Sequence, residues 1–179
     1  SAISARQGRS LKHTTQLLHR GLNDLTAQAI PICGNICIAA RAIILHENRL
    51  LLVNAYKGRG DLWCAPGGGA EPHQSLPQNL AREVHEETGL SVRVDAPCLL
   101  NEFHDPNGTF HQVEIFFRCT LTAGALDPAW QDPEKIVSLR RWVTRDELAT
   151  MTVRPKSLAA VAWGDKDAPF YDELEAILP

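Results

Sequence analysis

The 179-residue chain lacks any Cys-x-x-Cys pair, and its five cysteines, Cys33, Cys37, Cys64, Cys98 and Cys119, are scattered. That spacing argues against a structural zinc site and gives no disulfide framework. Reduced, mostly buried thiols in a cytoplasmic protein are the expectation. No apolar run approaches the length of a membrane span, so no membrane partner is expected. Positive charge is not in excess either: 18 Lys and Arg stand against 21 Asp and Glu, a net charge of −3, and the pI is about 6.1. Binding to nucleic-acid polymers usually needs a basic surface, which this composition does not supply. Internal repeats, low-complexity segments and long linkers are also absent. What remains is an ordinary globular composition, 44% hydrophobic and 22% charged, long enough for one domain with a good core.

The first 30 residues differ from the rest. Arg6, Arg9, Lys12 and Arg20 precede the first acid, Asp24, and Leu11, Leu18, Leu22 and Leu25 recur at helical spacing. An amphipathic helix is predicted from about Ser10 to Gln28. It reads as a packing or dimer-contact helix, as a basic targeting segment, or as a membrane-surface helix. Residues 1–30 are thus expected to be a basic extension to a single domain over 31–179, and a homodimer is a reasonable assembly.

The chemistry gathers between Gly67 and Leu90. Ser75 and Gln78 have the spacing of a capping box, Pro77 suits a first helical turn, and Gly89 suits the left-handed position past a helix end. A helix is predicted from Leu76 to Thr88. Glu83, Glu86 and Glu87 then share one arc of its surface. Three like charges near a helix C-terminus are unfavourable, and a hard divalent cation would compensate them. A solvated acidic face is the other reading of the same spacing. The adjoining stripe Leu80, Ala81, Val84 and Thr88 would pack on a core, and the loop Gly67-Gly68-Gly69 lets backbone approach a ligand closely.

Gly68, Gln74 and Arg82-Glu83-Val84-His85-Glu86-Glu87-Thr88-Gly89-Leu90 resemble the signature of the Nudix hydrolase family, and Trp63-Cys64-Ala65-Pro66-Gly67-Gly68 resembles its usual lead-in. A looser resemblance runs from about Ile32 to Val143. It implies hydrolysis of a nucleoside diphosphate joined to another group, with a small nucleotide as substrate and Mg²⁺ or Mn²⁺ as cofactor. The resemblance assigns the metal to Glu83, Glu86 and Glu87, with the Gly67 carbonyl as a further ligand. It makes Arg82 the residue that orients the carboxylates, and Glu83, with Arg82 and Glu86, the catalytic group. The one departure is Gln74, where the family has Glu; weakened support of the loop, or altered metal affinity, is expected. The family often recruits a further acid outside the signature, and Glu114 and Glu102 are the candidates here.

Other readings concern substrate contacts. Lys57 and Arg59 lie in a Gly58- and Gly60-containing loop and either meet phosphates or are solvated. Trp63 is either a core residue or a stacking platform for a base. Cys64 reads as an inert thiol, with a nucleophilic role as the alternative. His104 and His111 flank the strong turn Asp105-Pro106-Asn107-Gly108 and either touch substrate or are solvated.

Strands are expected at Ile32–Leu45 (central and covered on both faces), Leu50–Ala55, Ser91–His104 with a bulge at Pro97, a strand of alternating pattern around Gln112–Leu121, and Glu134–Val143. Thr144 caps a short helix, and helical pieces are expected at Lys156–Trp163 and Tyr171–Leu178. The predicted fold is α+β, a mixed sheet sandwiched between helices, as the resemblance also implies. The expected activity is diphosphate hydrolysis, with a non-catalytic nucleotide sensor or a prenyl-diphosphate isomerase of the same fold as the alternatives.

Overall fold

The computed structural model describes residues 36–178. The basic segment 1–30, its predicted helix and Cys33 lie outside them. The elements are β1 (Ile36–His46), β2 (Arg49–Asn54), β3 (Trp63–Cys64), β4 (Gly67–Gly69), α1 (Leu76–Thr88), β5 (Ser91–His104), β6 (His111–Ala123), β7 (Arg140–Val143), α2 (Arg145–Leu148), α3 (Leu158–Trp163) and β8 (Glu175–Ala176).

The sheet runs β3-β2-β1-β6-β5-β8, with β4 added to β1 and β7 to β2. β1 pairs with β6 in parallel, and β8 with β5 in parallel; the remaining pairs are antiparallel. One core lies between the sheet and α1, where Leu80 and Val84 meet Ala40, Ala42, Ile44, Leu51 and Phe117. The other lies on the opposite face, where Leu148, Leu158 and Val161 of α2 and α3 meet Ile43, Leu50, Leu52, Leu99 and Phe116. Each fully buried aliphatic side chain there stabilises the fold by roughly 1.5–3 kcal/mol before entropy is counted. The result is the expected mixed sheet between helices, and among the described residues no helix is long and apolar enough to cross a membrane.

Three local expectations are corrected. β1 is covered on both faces only in its middle, over Ala39–Ile44, since Ile36, Ile38 and Leu45 are 60%, 50% and 39% exposed. The strand expected over Glu134–Val143 is confined to Arg140–Val143. Upstream of it, Asp132 accepts from the N–H groups of Glu134, Ile136 and Val137, and Asn54 from those of Ser138 and Leu139. Side chains thus satisfy amides that a strand would have given to its neighbour. Finally, Tyr171–Leu178 is not helical. Its helically spaced apolar residues Tyr171 and Leu174 are exposed, so no buried stripe holds a helix together. The backbone instead docks along β5: Asp172 N–H donates to Leu100 O, and Ile177 N–H to His104 O.

Candidate active site

α1 forms as its sequence dictates. The Ser75 hydroxyl accepts from Gln78 N–H, the Gln78 side chain accepts from Ser75 N–H, and Gly89 ends the helix at φ 75°. Such a cap contributes about 1 kcal/mol. Leu80 and Val84 then anchor the helix to the sheet, which fixes the direction in which Glu83, Glu86 and Glu87 project.

Arg82 organises two of these carboxylates. Its guanidinium donates to Glu83 Oε1 (2.6 Å), Glu86 Oε2 (2.8 Å) and Asn79 Oδ1 (2.9 Å), with Glu71 at 3.6 Å. The third carboxylate, Glu87, accepts from Gly67 N–H (2.8 Å). Burial pushes Glu87 up to about 8, against the pull of Arg41 and the Gly67 N–H. Burial also raises Glu83, with Arg82 opposing. The glycine loop is required at this distance. A Cβ on Gly67, at φ 139°, would sit 2.1 Å from Ala40 O, and one on Gly68 would sit 2.5 Å from Glu83 Oε2.

The second half of the site comes from the sheet. Arg41 of β1 donates through Nε to Glu114 Oε1 and through Nη1 to Gly67 O, at 2.8 and 2.7 Å. Gln112 Nε2 also donates to Glu114 Oε1 (2.8 Å). Glu114 is only 4% exposed, so it is not a solvated strand glutamate. Two cavities meet at Arg41. One, of about 550 Å³ with its open mouth, runs along Gly67–Gly69, Glu87 and Val137. The other, of about 560 Å³, runs toward Tyr56, Phe103, Phe110 and Leu178. Arg41, Ala55, Cys64 and Gln112 line both.

The structure brings together Gly67, Arg82, Glu83, Glu86, Glu87 and Glu114, and leaves the other candidates elsewhere. Trp63 packs in the core on the α2–α3 side, donates from Nε1 to Gly60 O and carries Arg141 over its ring, so it is a core residue and not a stacking platform. Lys57 is exposed and Arg59 is paired with Asp61; neither lines either of these two cavities. Glu102 lies on the opposite face of β5 from the Glu114 side and is held by His111 Nε2 and the Tyr171 hydroxyl. His104 shares that outer face, so neither histidine reaches the carboxylates. Cys64 does line the cavities, but burial pushes its thiol up to about 12, as suits an inert residue. The Gln74 side chain makes only a 3.5 Å contact with Glu71 and none with Arg82; Glu71 is the acid that faces the arginine there.

Arg41 is the functional candidate that the sequence pattern hides, because it sits inside an apolar strand run and its meaning depends on strands far away. A charge in such a run was the available signal. The carboxylates of α1 suit a hard cation in kind. As they stand they are partnered by Arg82 and Gly67, and among the described residues no group of three or more His, Cys, Asp or Glu side chains is gathered to hold a metal ion.

A glycine loop feeding a carboxylate helix, on a mixed sheet between helices, defines a Nudix-type fold. The NUDIX domain family matches residues 36–164, and the chain belongs to that family. Its members generally require divalent metal ions. Diphosphoinositol polyphosphate phosphohydrolase 3-alpha of Mus musculus is 32% identical over 97 residues, covering 54% of this chain and 56% of that protein. The chain spans about half the length of the curated relatives it matches. Among solved structures, a NUDIX hydrolase from Nitrosomonas europaea has a TM-score of 0.60 at 20% identity, covering 73% of this chain and 89% of its own. An ADP-ribose pyrophosphatase from Streptococcus suis has a TM-score of 0.56 at 21% identity, covering 80% and 100%. At these identities the structures establish the fold.

Proposed function

We propose that the protein hydrolyses the diphosphate linkage of a nucleoside diphosphate derivative or a nucleoside triphosphate, with water attacking phosphorus. The observation that carries this is Glu83 and Glu87 against the Gly67–Gly68 backbone, with Glu86 held to Glu83 through Arg82, at the edge of a cleft that holds a guanidinium. In this reading Glu83, Glu86 and Glu87 would give up their present bonds to Arg82 and the Gly67 N–H to hold Mg²⁺ or Mn²⁺. The Gly67 carbonyl, which now accepts from Arg41, would be a further ligand. When bound, the cation neutralises phosphate charge and makes the attacking water more acidic.

The protein's own groups do the rest. Glu83 accepts the proton of the attacking water. Arg82 keeps Glu83 and Glu86 turned toward the loop. Arg41 has five N–H donors and spends two on Glu114 and Gly67, so its remaining donors serve substrate phosphate. Among the described residues, the cleft beside the glutamates is lined by one cation, Arg41, and one carboxylate, Glu87. That balance suits a single diphosphate bridge better than a densely phosphorylated ring. Residues 31–179 act as one cytoplasmic catalytic domain, to which residues 1–30 are an extension.

The test is nucleotide and phosphate release from a panel of nucleoside diphosphate derivatives and triphosphates, with and without Mg²⁺ or Mn²⁺. Metal-dependent cleavage of at least one compound is expected. Silence across the panel with tight nucleotide binding by calorimetry would replace the enzyme with a nucleotide sensor.

A further inference from the structure

The exposed isoleucines at the start of β1 belong to a larger open face. Ile36 and Ile38 alternate with their neighbours so as to share the strand face on which Ala40, Ala42 and Ile44 are buried under α1. α1 covers that face only from Ala40 onward. The register carries the open part across the sheet. Ile38 stands opposite the half-buried Val113, and Ile36 opposite His111, in the β1–β6 pair. Val113 in turn stands opposite Glu102 in the β5–β6 pair. Tyr171 reaches the same face from the far side, where its hydroxyl donates to Glu102 Oε1 (2.7 Å). Adjoining apolar side chains on an open sheet face mark a surface on which something else packs.

The chain carries a segment of the matching kind. Leu11, Leu18, Leu22 and Leu25 make one apolar stripe at helical spacing. A short helix of that pattern gains most of its stability from burying the stripe on another surface. Charge favours this domain as that surface. Residues 1–30 hold four Lys and Arg against one acid, and residues 31–179 hold fourteen against twenty. A basic segment and an acidic body attract each other. Reach is not limiting either. The ten residues between Leu25 and Ile36 extend up to about 35 Å, and the face from β1 across β6 to β5 is about 10 Å wide.

We propose that the basic segment Leu11–Leu25 turns back onto its own domain and seats its leucines on Ile36, Ile38 and Val113, covering the part of the sheet that α1 leaves open. Of the readings open to this segment, packing on its own chain is the one for which the domain offers a receiving surface of opposite charge. The contact bears on the neighbouring loop as well. Ala70 N–H donates to Ile38 O (2.8 Å), so a cover on Ile38 fastens the strand against which Gly67–Gly69 is paired.

The test is methyl NMR on the full chain, labelled at its isoleucine and leucine methyl groups. Nuclear Overhauser contacts are expected from Ile36 or Ile38 to Leu18 or Leu22, unchanged on dilution. A mixture of chains labelled at isoleucine only with chains labelled at leucine only separates the sources. Contacts in that mixture would put a second copy on the face and overturn the proposal, as would their absence from both samples. Stability gives a second reading. Leu22→Asp, and separately Ile38→Thr, which keeps a β-branched residue in the strand, are each expected to lower Tm by about 2–4 °C. The double variant is expected to lose no more than the larger of the two, because both remove the same contact. Fully additive losses would overturn the proposal. Should Ile38→Thr fail to fold, the NMR contacts decide alone.

Discussion

The two halves of the site are built on different plans. Glu83, Glu86 and Glu87 sit on one helix, and the loop they face lies within 20 residues of Glu87 in the chain. Arg41 and Glu114 are 73 residues apart, and they meet only because β1 and β6 pair in parallel with Ala39 opposite Glu114. The helix half carries its geometry in local spacing. The sheet half carries it in register, where a slip of one residue would turn every side chain to the other face. The two halves can therefore change separately.

Substitutions can break that division at several strengths. On the helix, Glu83→Gln is expected to lower kcat by about 10²–10⁴ with nucleotide binding largely retained, as kinetics and calorimetry on the same preparation would show. Undiminished turnover would move the base elsewhere, with Glu114 the first alternative. On the sheet, Arg41→Met leaves the buried Glu114 without its cation and is expected to cost about 3–5 kcal/mol in urea denaturation. Adding Glu114→Gln should recover part of that loss, which a simple packing defect would not allow.

Where the halves touch, Gly68→Ala tests their spacing. The new Cβ would fall 2.5 Å from the Glu83 carboxylate, a movable group, so the fold should survive while kcat falls by up to about 10². A melting temperature that drops along with activity would show the loop itself to be disrupted. Smaller still is Gln74→Glu. It restores the residue of the family pattern but sets a second carboxylate beside Glu71, at a contact now 3.5 Å long. Stability is expected to change by no more than about 0.5 kcal/mol and in the unfavourable direction, read from thermal melts.

The least effect concerns the C-terminal segment. The Tyr171 hydroxyl, with help from His111, holds the Glu102 carboxyl below its ordinary 4.5. A lowered acid contributes its stabilisation above that ordinary value and loses it as pH falls through the folded one. Below about pH 4.5 the Ile177 amide, bonded to His104 O, should therefore lose protection from hydrogen exchange. Unchanged protection would show that the strand pairing holds the segment without the tether.

The same contrast explains what could be read from the residues in order. The capped helix, its three glutamates and the Asp105–Gly108 turn follow from spacing within a dozen residues, and so they were legible. Arg41 interrupts the apolar run ICIAARAIIL with no local sign of a role, and Glu114 stood beside Glu102 as a candidate acid with nothing in the sequence to choose between them. Their pairing is non-local, and alternation alone does not say which face of a strand is buried. At Gln112 and Glu114 the polar face is the buried one. Glu134–Leu139 misled for a different reason: residues of strand-like composition had their amides claimed by Asp132 and Asn54.

That last arrangement bears on how such a protein acquires new substrates. Ile136 and Val137 form part of the wall of the glutamate cleft, yet the segment is held through its backbone amides by two side chains from elsewhere. Backbone anchoring is indifferent to what the anchored residues are, so mutations there can reshape the wall without first unfastening the loop. Asp132 and Asn54 stay put while the surface they support is free to drift, so the wall of the cleft can be remodelled while α1 and its glutamates remain unchanged.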